Sequence, residues 1–123
     1  MNAYSDLVDR YLAVWNETDA DARAAAVGAL FTPDAIYVDP LADVRGHEQI
    51  AAAIAGVQQT FPGHVLRPHG PADGHHDVVR FGWELVPATG GESVAVGFDV
   101  AVRDTEGRVR AVLGFLDKTP ATA

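Results

Sequence analysis

Apolar residues at Tyr4, Leu7, Val8, Tyr11, Leu12, Val14 and Trp15 recur every three or four positions, the spacing that gathers side chains on one stripe of a helix. This periodicity predicts a first helix from Tyr4 to about Asn16 or Glu17. Thr18 and Asp19 are cap-type residues, and the alanine-rich run Ala20 to Leu30 favours a second helix that Pro33 prevents from continuing. After an expected turn at Pro33-Asp34, Ala35 to Asp39 reads as a short strand ended by Pro40, and a loop of turn formers runs through Gly46. A third helix is expected from about His47 to Gln59, with Ile50, Ile54 and Val57 on one stripe and Pro62-Gly63 closing it.

The second half changes period. His64 to Pro68, His76 to Val86, Ser93 to Arg103 and Arg108 to Lys118 are β-rich and separated by Gly, Pro and Asp clusters. Short turns at Thr89-Gly90-Gly91 and Asp104-Thr105-Glu106-Gly107 suit antiparallel hairpins. Helices grouped before such a meander predict an α+β layer fold in which a curled antiparallel sheet wraps around the helical layer. One domain spanning residues 1–123 is expected.

Ser93 to Arg103 splits into two unlike faces. Val94, Val96, Phe98, Val100 and Val102 share one; Ala95, Gly97, Asp99 and Ala101 share the other, small side chains around a single carboxyl group. Protein interiors are packed to crystal-like density, so the missing volume implies room for a ligand or for large opposing residues, with Phe81 and Trp83 as candidates. The Val and Phe row would be an exposed apolar patch on a monomer. It predicts a homodimer packed partly through the sheet, with a helix of the same chain lying across that face as the competing explanation.

Composition narrows the partners. With 17 acidic against 9 basic residues and a formal charge of -8, the chain would be repelled by a phosphate backbone or an anionic membrane, so neither nucleic acid nor membrane is expected. It has no cysteine, which excludes disulfides, thiol nucleophiles and thiolate metal sites. The first ten residues lack the features of a secretory signal, and no apolar run approaches the length of a membrane span; a cytoplasmic location is the default expectation. Five histidines carry no ligand spacing, and His75-His76 reads as a turn, so no metal is expected. Surface roles suffice for His47, His64 and His69, and a solvated or interfacial pair for Arg80 and Glu84.

Three polar groups fall in apolar surroundings. Tyr11 lies on the buried stripe of the first helix, where it could be a core aromatic with its hydroxyl at the edge. Asp39, before a proline, could be a turn residue whose carboxylate binds backbone amides. Asp99, between Phe98 and Val100, is costly to bury unless protonated or paired; it faces a ligand or meets an interior arginine.

Arg10-Tyr11-Leu12-Ala13, Ala29-Leu30-Phe31, Asp34-Ala35, Val38-Asp39-Pro40, Phe98-Asp99 and Glu106-Gly107-Arg108-Val109 together resemble the nuclear transport factor 2-like superfamily, closest to its SnoaL-like and ketosteroid isomerase-like branches. The resemblance implies a cone-shaped, cystatin-like α+β barrel around a deep apolar pocket. It also implies an oxyanion-hole tyrosine at Tyr11, a general-base aspartate at Asp39 and a second oxyanion-hole acid at Asp99. Ketosteroid isomerase is the known case of such an acid held neutral by an apolar site. On this resemblance Asp39 would remove a proton next to a carbonyl while Tyr11 and protonated Asp99 donate to the enolate oxygen, with no metal or organic cofactor. Ile54 stands where the isomerase branch has a supporting tyrosine. The candidate ligand contacts are Trp15, Phe81, Trp83, Ala101, Val112, Gly114 and Leu116. Three readings follow: an isomerase or polyketide cyclase-like enzyme acting on a small apolar carbonyl compound, a non-catalytic binder of a small apolar ligand, and a protein-interaction module.

Overall fold

The computed structural model describes residues 3–119. Three helices, α1 (Ala3–Asn16), α2 (Ala20–Leu30) and α3 (Gly46–Thr60), lie near their expected bounds because the cues were local. The stripe Leu7, Val8, Tyr11, Leu12, Val14 and Trp15 is buried. Asp19 caps α2 by accepting from the Ala22 N–H at 2.8 Å.

The first strand departs from expectation. β1 spans Phe31–Asp39, so α2 passes into it with no turn at Pro33-Asp34. Phe31 is already extended and pairs with Val109, and the ladder is interrupted between Phe31 and Ile36. Pro33 falls in that interruption, where its missing N–H leaves no bond unmade. The expected loop after Pro40 contains a further strand, β2 (Ala42–Arg45), which returns antiparallel on β1. The remaining strands are β3 (His64–Pro68), β4 (Asp73–His75), β5 (Val78–Pro87), β6 (Ala95–Arg103) and β7 (Val109–Lys118). β4 is also new, and His76 turns between β4 and β5 with φ of 50°.

The sheet runs β2-β1-β7-β6-β5-β3, with β4 beside β5; it is curved and does not close. β1 is parallel to β7, so the sheet is mixed where a purely antiparallel one is expected from the sequence. The hairpin cues of the second half report neighbours in sequence, whereas β1 reaches β7 only after the rest of the chain is laid down.

Helices cover the inner face. Tyr11, Phe31, Phe81, Ile50, Ile54, Val79 and Val112 are fully buried between the two layers. Asn16 fastens the end of α1 to the β3 edge, donating to the Leu66 carbonyl at 2.9 Å and accepting from the Leu66 N–H at 2.8 Å. Gln58 of α3 donates to the carbonyls of Trp15 and Glu17, and the buried Arg23 donates to the carbonyls of Glu17 and Thr18 and to Gln58. These bonds satisfy carbonyls that the end of α1 leaves open and fix where Trp15 stands.

The two faces of β6 are as unlike as their sequence. Ala95, Gly97, Asp99 and Ala101 are buried, while Val96, Phe98, Val100 and Val102 are half-buried on the outside. Among the described residues no helix lies across that outer face: Leu113 is 40% and Phe115 51% exposed, and Phe115 stacks on Phe98 with ring centroids 4.9 Å apart. Among the described residues no helix is long and apolar enough to cross a membrane.

Candidate functional site

Register places the polar groups in one row. Phe81, Asp99 and Gly114 sit side by side across β5, β6 and β7. The parallel pairing of β1 with β7, Val38 opposite Leu113, sets Asp39 next in line. Gly114 makes the approach possible. A β-carbon there would stand 2.7 Å from Asp99 Oδ1 and 3.2 Å from Asp39 Cβ, so both carboxyl groups lean over a position where no side chain fits.

Asp39 and Asp99 of that row border a cavity of about 90 Å³. Tyr11, Leu12 and Trp15 of α1, Tyr37 and Asp39 of β1, Leu41, Val57, Phe61, Leu66, Trp83, Leu85, Ala95, Asp99 and Leu116 line it. The lining is hydrocarbon apart from the phenols, indoles and carboxyl groups. Below the row the interior is solid: Phe81 packs edge-on against the Tyr11 ring, 5.1 Å between centroids, and Ala101 and Val112 have no exposed surface.

Of the candidate ligand contacts, Trp15, Trp83 and Leu116 therefore border the cavity, and Phe81, Ala101, Val112 and Gly114 lie outside its lining. Alternation assigns a residue to a face but not to a depth, and only helix packing decides how much of the face is filled. At Gly97 the volume is taken by Trp83, whose Cζ2 would lie 2.6 Å from an added β-carbon.

Asp99 is 3% exposed. Its Oδ2 accepts from the Tyr11 hydroxyl at 2.8 Å and its Oδ1 from the Trp83 indole N–H at 3.1 Å. No arginine meets it; the interior arginine, Arg23, is held by carbonyls and Gln58. Burial pushes the Asp99 carboxyl up from 3.8 to about 6, the Tyr11 and Trp83 hydrogen bonds pull against that, and the nearby Asp39 charge adds to it. Burial, and then the Asp99 charge, hold the Tyr11 phenol well above its ordinary value.

Asp39 borders the cavity and also holds the β1–β2 turn. Its Oδ1 accepts from the Leu41 and Ala42 N–H groups, each at 2.8 Å, and its Oδ2 accepts from the Tyr37 hydroxyl at 2.6 Å. A carboxylate offers about four lone-pair sites. Three are taken here, and the open one is on Oδ2. The turn reading of Asp39 holds through Oδ1, and the residue also lines the cavity.

Tyr37 was not among the candidates. The signal was available: it lies two residues before Asp39 on a strand and so shares its face. Leu12, Leu41, Val57, Phe61, Leu66 and Leu85 were also missed, being ordinary apolar residues until the helices and the β1–β2 turn bring them to one hollow, while Ala95 borders it from the small-residue face of β6 as expected.

The chain belongs to the SnoaL-like domain family. The family model of the SnoaL-like domain matches residues 8–112. This SnoaL-like chain is 41% identical to a SnoaL-like family protein from Agrobacterium tumefaciens, named as a proposed isomerase, with a TM-score of 0.90 over 95% of this chain and 99% of that one. A proposed polyketide cyclase from Sinorhizobium meliloti shares the fold at 19% identity and a TM-score of 0.69, over 89% of this chain and 93% of that one. An NTF2-like protein of unknown function from an Exiguobacterium species matches at 18% identity and a TM-score of 0.70, over 92% and 99%. No curated protein matches the sequence.

The remaining polar candidates of this SnoaL-like domain stand apart from the cavity lining. His47 begins α3, its Nε2 2.9 Å from the Phe31 carbonyl oxygen. His69 and Arg67 face Glu84 at 3.5 and 3.7 Å, and Arg80 faces Asp73 at 3.7 Å, so Arg80 and Glu84 have separate partners instead of forming a pair. Among the described residues no group of three His, Cys, Asp or Glu side chains could hold a metal ion.

Proposed function

We propose that this SnoaL-like domain is an isomerase or cyclase that acts without a cofactor on a small apolar carbonyl compound, removing a carbon-bound proton next to the carbonyl. The observation that carries the reading is the meeting of the Asp39 carboxylate and the Tyr11–Asp99 pair at one hydrocarbon-lined cavity. Asp39 Oδ2 takes the proton through its open lone pair. Leu41, Ala42 and Tyr37 hold the carboxylate so that no reorientation is needed as the proton moves. The electron pair left on carbon delocalises onto the carbonyl oxygen, where the protonated Asp99 donates to it and the Tyr11 hydroxyl, turned from Asp99 to the substrate, donates as well. Return of the proton to another carbon gives isomerisation, and attack of the carbanion on a second carbonyl gives ring closure. Exchange of carbon-bound hydrogens with solvent deuterium across a library of ketones tests the reading. Exchange by the parent and its loss in Asp39→Asn are expected; retention of exchange in Asp39→Asn would end the base assignment.

A second reading, a non-catalytic binder of a small apolar ligand, is favoured by one feature: two of the three bonds to Asp39 come from backbone amides of its own turn, as at a structural aspartate. It predicts binding with no exchange by the parent.

Donation by Asp99 requires its proton. Burial pushes the carboxyl up to about 6. Affinity for a neutral ketone is therefore expected to be level below pH 6 and to fall above it, by up to about tenfold per pH unit. Titration calorimetry across pH 5 to 8 measures this, and a profile flat throughout would remove Asp99 as a donor to the ligand.

The outer face supports a homodimer. Val96, Phe98, Val100, Leu113 and Phe115 form an apolar patch on the sheet, and a second copy would bury it. Sedimentation of the parent as two chains at micromolar concentration, and of Phe115→Glu as one, is expected; a single-chain parent would remove the dimer.

A further inference from the structure

The cavity lining passes from buried to open. Tyr11, Trp15 and Asp99 are buried, Phe61 and Leu116 are half-buried, and Leu41 is 84% exposed. Among the described residues Leu41 is the most exposed large apolar side chain. A lone leucine on a surface needs no explanation, but this one stands at the mouth of an apolar hollow. Its backbone is also fixed there. The Leu41 N–H donates to Asp39 Oδ1 at 2.8 Å, as does that of Ala42, and Pro40 before it has a locked φ.

Volume decides how a guest must use this mouth. A cavity of about 150 Å³ holds one benzene ring, so one of about 90 Å³ encloses roughly four non-hydrogen atoms. That is a carbonyl group with the carbons on either side of it. A molecule so small buries too little apolar surface to offset the cost of being held. Any further apolar part of the guest lies in the mouth. Among the described residues no lysine, arginine or histidine borders the cavity, so nothing there receives an anionic extension.

We infer that the guest is longer than the cavity, and that Leu41 is the specificity residue for the part left outside. The carbonyl end fills the hollow beside Asp99, and an apolar extension leaves through the mouth and lies on the Leu41 side chain. Contact with the guest covers hydrocarbon that the folded chain leaves in water. The site therefore selects ketones that carry a hydrocarbon chain or a further ring over compact ones. The inference rests on the cavity being a site for carbonyl compounds, as proposed above, and not on Asp39 acting as a base.

2-Butanone and 2-nonanone share a methyl ketone end and differ in what extends from it. Both are titrated at about pH 5 into protein carrying ¹³C-labelled leucine methyl groups. 2-Nonanone is expected to bind at least about tenfold more tightly and to move the Leu41 methyl signals, which 2-butanone leaves in place. Leu41→Ser changes an exposed side chain, and an unaltered thermal unfolding midpoint checks that it folds as the parent does. It is expected to weaken 2-nonanone at least about fivefold more than 2-butanone. Equal affinity for the two ketones, binding of neither, Leu41 methyl groups that 2-nonanone does not move, or a variant that weakens both alike would overturn the inference. So would Leu41 signals that shift on dilution of the protein alone, which would put a second copy on that side chain. Deuterium exchange is the separate readout for catalysis. Equal affinities with Asp39-dependent exchange would overturn the inference and leave the proposed reaction standing, whereas a chain-length preference carried by Leu41 with no exchange would do the reverse.

Discussion

Asp39→Asn is expected to lower the rate of carbon-bound hydrogen exchange by about 10² to 10⁴-fold, the usual contribution of a positioned general base. The substitution is close to silent for the fold. Asn keeps one carbonyl oxygen to accept from the Leu41 and Ala42 N–H groups, and its amide can donate to the Tyr37 oxygen where Oδ2 now accepts. What disappears is the carboxylate's capacity to take a proton. Ketone affinity at low pH should therefore stay within a few-fold of the parent while exchange collapses, a split that a merely structural aspartate would not produce. The change should also reach Asp99. The Asp39 charge is one of the causes that push the Asp99 carboxyl up to about 6, so removing it should move the inflection in ketone affinity to lower pH. Exchange rates by proton NMR and affinities by calorimetry on the same samples measure both effects, and an inflection that stays in place would show the two carboxyl groups to be uncoupled.

Asp99→Asn is expected to stabilise the protein near neutral pH. Folding raises this carboxyl from 3.8 to about 6. The folded state therefore binds the proton more readily than the unfolded one, and the stability that goes with it is complete below pH 3.8 and lost as pH rises through about 6. Above that, the buried carboxylate is a liability corresponding to about 1 to 3 kcal/mol. An amide of the same shape still reaches Tyr11 and Trp83 without carrying a charge. The gain should appear in urea unfolding at pH 7 to 8, shrink through pH 6 and vanish below about pH 4. Ligand affinity in the same variant should lose its fall above pH 6. A stability difference that does not change with pH would mean that Asp99 is not the strained carboxyl of this interior.

Much of the site was legible from single residues. Asp99 stood out because a carboxyl in mid-strand between Phe98 and Val100 has to be explained by something opposite it, and the structure supplies Tyr11 and Trp83. The depth of the cavity was not legible. Gly114 and Leu116 share a face of β7, yet one is the floor under two carboxyl groups and the other is wall, because the boundary is set by how far Phe81 and Tyr11 fill the interior. Tyr37 was within reach of the strand alternation, which places it on the face of Asp39.

Determined by the amino-acid order alone were the three helices, the unequal faces of β6 and the net negative charge, because each depends on residues near one another in the chain or on a simple count. Left to the tertiary structure were the parallel docking of β1 on β7, the turn that folds β2 back, and the contact of α1 with the sheet. These set Asp39 beside Asp99 across Gly114 and leave a hollow over them. They depend on which distant surfaces bury each other, and neither periodicity nor propensity encodes that choice in a form that can be read locally.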